Sequence, residues 1–144
     1  MTVDARIAAL IPHAGNMCLL ERVVHWDDAG VVLATTTHRD PANPLVRDGW
    51  LHAIHLCEYG AQAMAVHGGL RAQAHGERAQ PGLLVSLRDV AFHCDHIHDL
   101  EGELLVEALR QHESGNAWQY DFRVTCAGRL LAQGRAMVSL ASSP

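Results

Sequence analysis

Residues 50–69, WLHAIHLCEYGAQAMAVHGG, form the longest apolar, helix-favouring run of the chain, and one carboxylate, Glu58, stands within it among Ile54, Cys57, Ala61 and Ala65. Apolar helix faces rarely retain an acid without a use for it. No other segment is long enough to cover a sheet, so this run constrains everything around it. Its composition predicts a helix over 52–67, with Gly68-Gly69 as the stop, because a left-handed cap costs glycine nothing.

The remaining periodicity is strand-like. Residues 22–27 and 30–37 are rich in Val and Thr around Asp28-Ala29-Gly30, which predicts a hairpin. Residues 82–94, 103–111, 117–126 and 130–140 are strand-length runs separated by turn residues, which predicts an antiparallel meander. The clearest pattern alternates Trp118, Tyr120, Phe122, Val124 and Cys126 with Gln119, Asp121, Arg123 and Thr125, burying one face and wetting the other. That face needs a cover, and the helix supplies it. The expected fold class is therefore α+β: a curved antiparallel β-sheet wrapped around one long central α-helix. A short helix over 3–10 must end by Ile11-Pro12, since the residue before proline is pushed out of the helical region.

With 144 residues and 49% hydrophobic content, one domain over 1–144 is expected. A formal charge of -5 and scattered basic residues argue against a nucleic-acid surface. Cys18, Cys57, Cys94 and Cys126 lie far apart in apolar contexts and read as reduced thiols. Together with the absence of a signal-like N-terminus or an apolar run of about 18 residues, this predicts a cytoplasmic protein without membrane insertion.

Particular motifs carry a resemblance. Ile11-Pro12-His13 followed by Cys18-Leu19-Leu20-Glu21-Arg22-Val23 resembles the opening of FabZ-type 3-hydroxyacyl-ACP dehydratases, and Glu58-Tyr59-Gly60-Ala61-Gln62-Ala63 resembles their central helix. The closer resemblance is to the aryl-polyene branch of these dehydratases, through Asn43-Pro44-Leu45, Arg47-Asp48-Gly49, residues 58–68 and Gly134-Arg135-Ala136. It implies the hot-dog fold and dehydration of (3R)-hydroxyacyl thioesters, on ACP or CoA, to trans-2-enoyl thioesters. It also implies a dimer, homo- or heteromeric, whose acid and base come from opposite subunits. Departures exist: aligning on Glu58 puts Pro44 at the family's catalytic histidine and Ala53 at the glycine before the helix, and position 14 is Ala rather than Arg. His38, in His38-Arg39-Asp40-Pro41, then takes the place of the base.

The reaction needs a base for a weakly acidic C2 proton and an acid for departing hydroxide. His38 is the expected base and Glu58 the expected acid, its pKa raised by burial. Gln62, one turn on, is expected to orient Glu58. Free N–H groups near Ala53 and Ile54, at the first helical turn, are expected to meet the enolate-like oxygen. His13 is expected to brace the entry loop beside the substrate. No cofactor and no metal are expected: His52, His55 and Glu58 share a helix face without a second motif, and His96 and His98 read as surface residues able to take up an adventitious nickel or zinc ion. Arg71, Arg78 and Arg88 are candidate contacts for an acidic carrier protein. Two rivals stand beside this reading, a hot-dog thioesterase using Glu58 and a non-catalytic subunit paired with an active dehydratase.

Overall fold

The computed structural model describes residues 5–10, 17–77 and 82–140. Helix α1 (Ala5–Leu10) precedes the hairpin β1 (Arg22–Trp26) and β2 (Gly30–Thr35), after which come α2 (Leu56–Ala74), β3 (Gly82–Phe92), β4 (Leu104–Ser114), β5 (Ala117–Cys126) and β6 (Arg129–Leu140). The hairpin turn is built by Asp27, whose Oδ1 accepts the N–H groups of Ala29 and Gly30, both at 2.9 Å.

All six strands form one antiparallel sheet in the order β1-β2-β4-β5-β6-β3. Only β4, β5 and β6 make the expected meander; β3 is not part of it and instead pairs with β6 at the far edge. The reason lies in residues 93–103, which cross the start of the long helix before reaching β4. On the way, Ala53 donates its N–H to Asp95 O at 2.9 Å and Ile97 donates to Leu51 O at 2.9 Å. Bulges in β1, between Val23 and His25, and in β3, between Leu84 and Ser86, add local twist to the two edge strands.

The helix lies on the inner face of this sheet. Leu56, Tyr59, Ala63, Met64, Val66 and Leu70 are buried with Leu33, Val106, Tyr120, Phe122, Val124 and Ala136 in one core. The alternation over 117–126 is realised: Tyr120, Phe122, Val124 and Cys126 are buried. Phe122 is wedged between two backbones, since a Cβ at Gly60 or at Gly134 would lie 2.7 Å from its ring. This is the hot-dog arrangement, a sheet curved around one central helix.

The helix does not stop at Gly68-Gly69 but continues to Ala74. Gly69 is needed there for close approach, because a Cβ would lie 2.5 Å from Leu10 Cδ2 of α1. The left-handed cap is seven residues later at Gly76, with φ 68°. Around it Gly76 donates to Gln73 O at 3.1 Å and Glu77 to Ala72 O at 2.8 Å, the paired bonds of a Schellman motif. Among the described residues no helix is long and apolar enough to cross a membrane.

Candidate active site

Strand β2 ends at Thr35 and is followed by Thr36-Thr37, where hydroxyl groups offer the backbone partners other than a neighbouring strand. Thr35 and Thr37 each donate Oγ1 to Leu19 O at 2.6 Å. The chain then makes a single 3-10 turn, Thr37–Arg39, that carries His38 into the interior.

His38 is fully buried. Its Nε2 lies 2.8 Å from Leu100 O, an acceptor only, so Nε2 carries the proton and Nδ1 keeps its lone pair. Nδ1 is buried and has no hydrogen-bond partner among the described residues. Burial pushes the imidazole pKa below its ordinary value, a shift the Leu100 carbonyl opposes and the Arg39 charge reinforces. The result is a neutral imidazole with an unprotonated, unpartnered nitrogen, which is the protonation state a general base must occupy before it acts.

The loop after His38 is held by Asn43. Its Nδ2 donates to Thr37 O at 3.0 Å and to Tyr59 OH at 3.2 Å, while Oδ1 accepts the Leu45 N–H at 2.9 Å. Tyr59 OH lies 3.0 Å from Thr37 Oγ1. Since the Thr37 hydrogen goes to Leu19 O, the bonds run in one direction, Asn43 to Tyr59 to Thr37 to Leu19. Burial pushes the Tyr59 phenol up to about 12, so it remains a donor.

Glu58 is on the first turn of α2 and is half-buried in the single chain, not enclosed as expected from its apolar neighbours. Gln62 donates Nε2 to Glu58 Oε1 at 3.1 Å and to Met17 O at 2.7 Å, and its Oε1 accepts the Leu19 N–H at 2.9 Å. Gln62 therefore fixes both the carboxylate and the segment on which the His38 turn rests. His38 and Glu58 have no direct bond; they are tied through Gln62, Leu19 and Thr37 to one frame. Residue type gave no signal for that frame. Tyr59 and Asn43 stand inside the resembling motifs, but their partners become visible only in three dimensions.

The Ala53 amide is not free, since Asp95 O has taken it, which corrects the expectation for that residue. The Ile54 N–H makes no hydrogen bond among the described residues, and the Ile54 side chain is 63% exposed beside Trp50 at 47%. His13 and Arg78 lie outside the described residues. Arg71 is engaged elsewhere: its Nε donates to Asp28 Oδ1 at 2.8 Å and its guanidinium stacks on Trp118. His55 is half-buried, and burial together with the nearby His52 and Arg47 charges lowers its pKa. All four cysteines are free, and burial raises the pKa of each.

Comparison with known proteins places these features. In structure the chain is similar to the dehydratase heterocomplex ApeI:P from Xenorhabdus doucetiae, with a TM-score of 0.84 and 24% identity over 95% of this chain and 91% of that one. It is also similar to AziG of S. sahachiroi, with a TM-score of 0.63 and 20% identity over 93% and 99% of the two chains. A hypothetical thioesterase with coenzyme A from Streptococcus pneumoniae TIGR4 aligns with a TM-score of 0.60 and 16% identity over 85% and 86%. At these identities the likeness establishes the fold. No curated protein matches the chain in sequence. The model of the ApeP-like family, described as ApeP dehydratase, matches residues 5–143. With the sheet, the helix and a match over nearly the whole length in hand, the chain belongs to the ApeP-like dehydratase family.

Proposed function

We propose that this chain is a hot-dog subunit of a dehydratase that converts (3R)-hydroxyacyl thioesters, carried on acyl carrier protein, to trans-2-enoyl thioesters, as in aryl polyene biosynthesis. The observation that carries this is the buried, neutral His38 whose Nδ1 has no partner, in a chain of a dehydratase family. Nδ1 takes the C2 proton, Glu58 gives a proton to the C3 hydroxyl, and water leaves as the double bond forms. The Ile54 N–H stands at the helix start, where the thioester oxygen gathers charge. Gln62 orients Glu58. His13 contributes to substrate binding in this reading. The step needs neither metal nor organic cofactor.

A second subunit fits the free edge of β3. This strand has 11 residues, pairs with β6 on one side only, and exposes Leu84, Val85 and Leu87 by 42%, 59% and 40%. A long apolar edge is a template for another chain. Pairing there gives a dimer with acid and base from opposite subunits and the acyl chain between the helices.

The test is hydration of a short trans-2-enoyl thioester, followed by loss of enoyl absorbance, for wild type, His38→Ala and Glu58→Gln with folding checked. Loss of rate in both variants supports the pair. The similarity to a heterocomplex favours a second reading, a subunit that contributes fold but not chemistry. In that case wild type is inert alone, and Glu58→Gln restores activity to a partner dehydratase as well as wild type does. A thioesterase would instead release thiol from an acyl thioester lacking the 3-hydroxyl.

A further inference from the structure

The crossing segment between β3 and β4 carries His93-Cys94-Asp95-His96-Ile97-His98-Asp99, and none of these residues serves the proposed acid, base or their frame. Ile97 is buried and anchors the segment, which puts His96 and His98, its two neighbours, together at the surface. Their ring centroids are 4.8 Å apart. Asp99 folds back so that its Oδ2 lies 3.1 Å from His96 Nε2. One ligand atom from each of His96, His98 and Asp99 lies within 4.8 Å of the others. Donors around a tetrahedral zinc ion, at roughly 2.0–2.1 Å from the metal, sit about 3.3 Å from one another. The His96–Asp99 pair already has that spacing, and His98 is within a side-chain adjustment of completing the set.

The surroundings suit an ion. Side chains of His96 and Asp99 are 31% and 60% exposed, which leaves room for water in the remaining coordination positions. Trp50 walls the cluster, its ring 4.7 Å from His96 and 4.8 Å from His98. His52 faces His96 across an isolated antiparallel bridge. Two imidazoles and a carboxylate favour zinc, cobalt or nickel over magnesium or calcium, which prefer oxygen donors throughout.

We propose that His96, His98 and Asp99 form a binding site for a divalent transition-metal ion of the zinc or nickel type, separate from the catalytic pair. The ion replaces the proton shared by His96 Nε2 and Asp99 Oδ2. The Leu51 N–H donates to His98 Nδ1 at 3.2 Å, which ties this ring to the backbone directly before the central helix. The site is a clip between the crossing segment and the helix start.

The test titrates untagged full-length protein with Ni2+, reading tryptophan fluorescence and calorimetry together. One ion per chain is expected, with saturable quenching that Zn2+ competes away. His96→Ala/His98→Ala should abolish binding, Asp99→Asn should weaken it at least about tenfold, and Trp50→Phe should lose the quenching while keeping the heat. If the double variant does not fold, Asp99→Asn decides, since it leaves both rings in place. No saturable binding, or an affinity unchanged in Asp99→Asn or in the folded double variant, overturns the proposal.

Discussion

Two buried histidines mark the proposed working end and the bracing end of this molecule. His38 and His67 are both fully buried, and burial lowers the pKa of each. Each gives its Nε2 proton to a backbone carbonyl, Leu100 O at 2.8 Å and Asp27 O at 2.9 Å. They differ at one atom. His67 Nδ1 accepts from Tyr120 OH at 2.8 Å, whereas His38 Nδ1 has no hydrogen-bond partner among the described residues. His67 closes a circuit among α2, the β1–β2 turn and β5, and every polar atom of the ring is satisfied. An open buried nitrogen costs roughly 1–3 kcal/mol, a cost that stability alone gives no reason to retain. Burial and pKa thus do not distinguish the proposed base from the brace; the unpartnered lone pair does.

Matched His→Gln substitutions test that division, because glutamine places an amide N–H near the Nε2 position and removes the Nδ1 lone pair. His38→Gln is expected to lower the enoyl hydration rate by about 10²–10⁴-fold, the usual value of a general base, with urea stability within about 1 kcal/mol of wild type. His67→Gln should do the reverse. It leaves the Tyr120 hydroxyl buried without its acceptor, costing about 1–3 kcal/mol, with the rate per folded molecule little changed. Removing that hydroxyl as well, in His67→Gln/Tyr120→Phe, should recover part of the loss. If both glutamine variants lose stability and neither loses rate, the distinction collapses.

Acid acts on both members of the pair. Because both folded-state pKa values lie below the ordinary value, the unfolded chain binds protons that the folded chain refuses. Their contribution to stability is complete above the unfolded value of about 6.5 and is lost as pH falls below it toward the folded values. Each proton contributes a slope of at most about 1.4 kcal/mol per pH unit. Urea midpoints at successive pH values from neutral downward should fall in wild type, and His67→Gln should remove its own share of the slope. An unchanged slope in His67→Gln would show that this imidazole is not refused its proton.

What the sequence made legible follows the range of the interaction. Strand β5 matches its expected bounds, Ala117–Cys126, because alternation is a local signal and its inward residues had an obvious cover. The edge position of β3 was not legible, since Leu83, Leu84 and Val85 run together and mark neither face, and its partner lies beyond two other strands. In the site, His38, Glu58 and Gln62 stood out by residue type and motif. The frame joining them did not, for Asn43 meets Tyr59 across 16 residues and Gln62 meets Leu19 across 43. The Ala53 amide was misjudged for the same reason, its acceptor being a carbonyl from a distant crossing segment.

The smallest expected effects come from the two glycines misread as a helix stop, and they test whether the bracing end is purely structural. Gly68 and Gly69 are adjacent in the same helix, so alanine gains the same intrinsic preference at both, about 0.5–1 kcal/mol. Their surroundings are opposite. A Cβ at Gly68 meets nothing within 4 Å, while one at Gly69 meets Leu10 at Cδ2, Cγ and Cδ1 within 2.5–3.1 Å. Gly68→Ala should therefore raise the urea midpoint by the full preference. Gly69→Ala must displace the whole Leu10 side chain and should lose about 1 kcal/mol net, α1 being short enough to shift and relieve part of the clash. Neither substitution touches Glu58, Gln62 or the His38 turn, so hydration rates per folded molecule should stay at wild type. A rate that falls in Gly69→Ala would mean that α1 positions the working end too, and that the two halves of the helix are mechanically one.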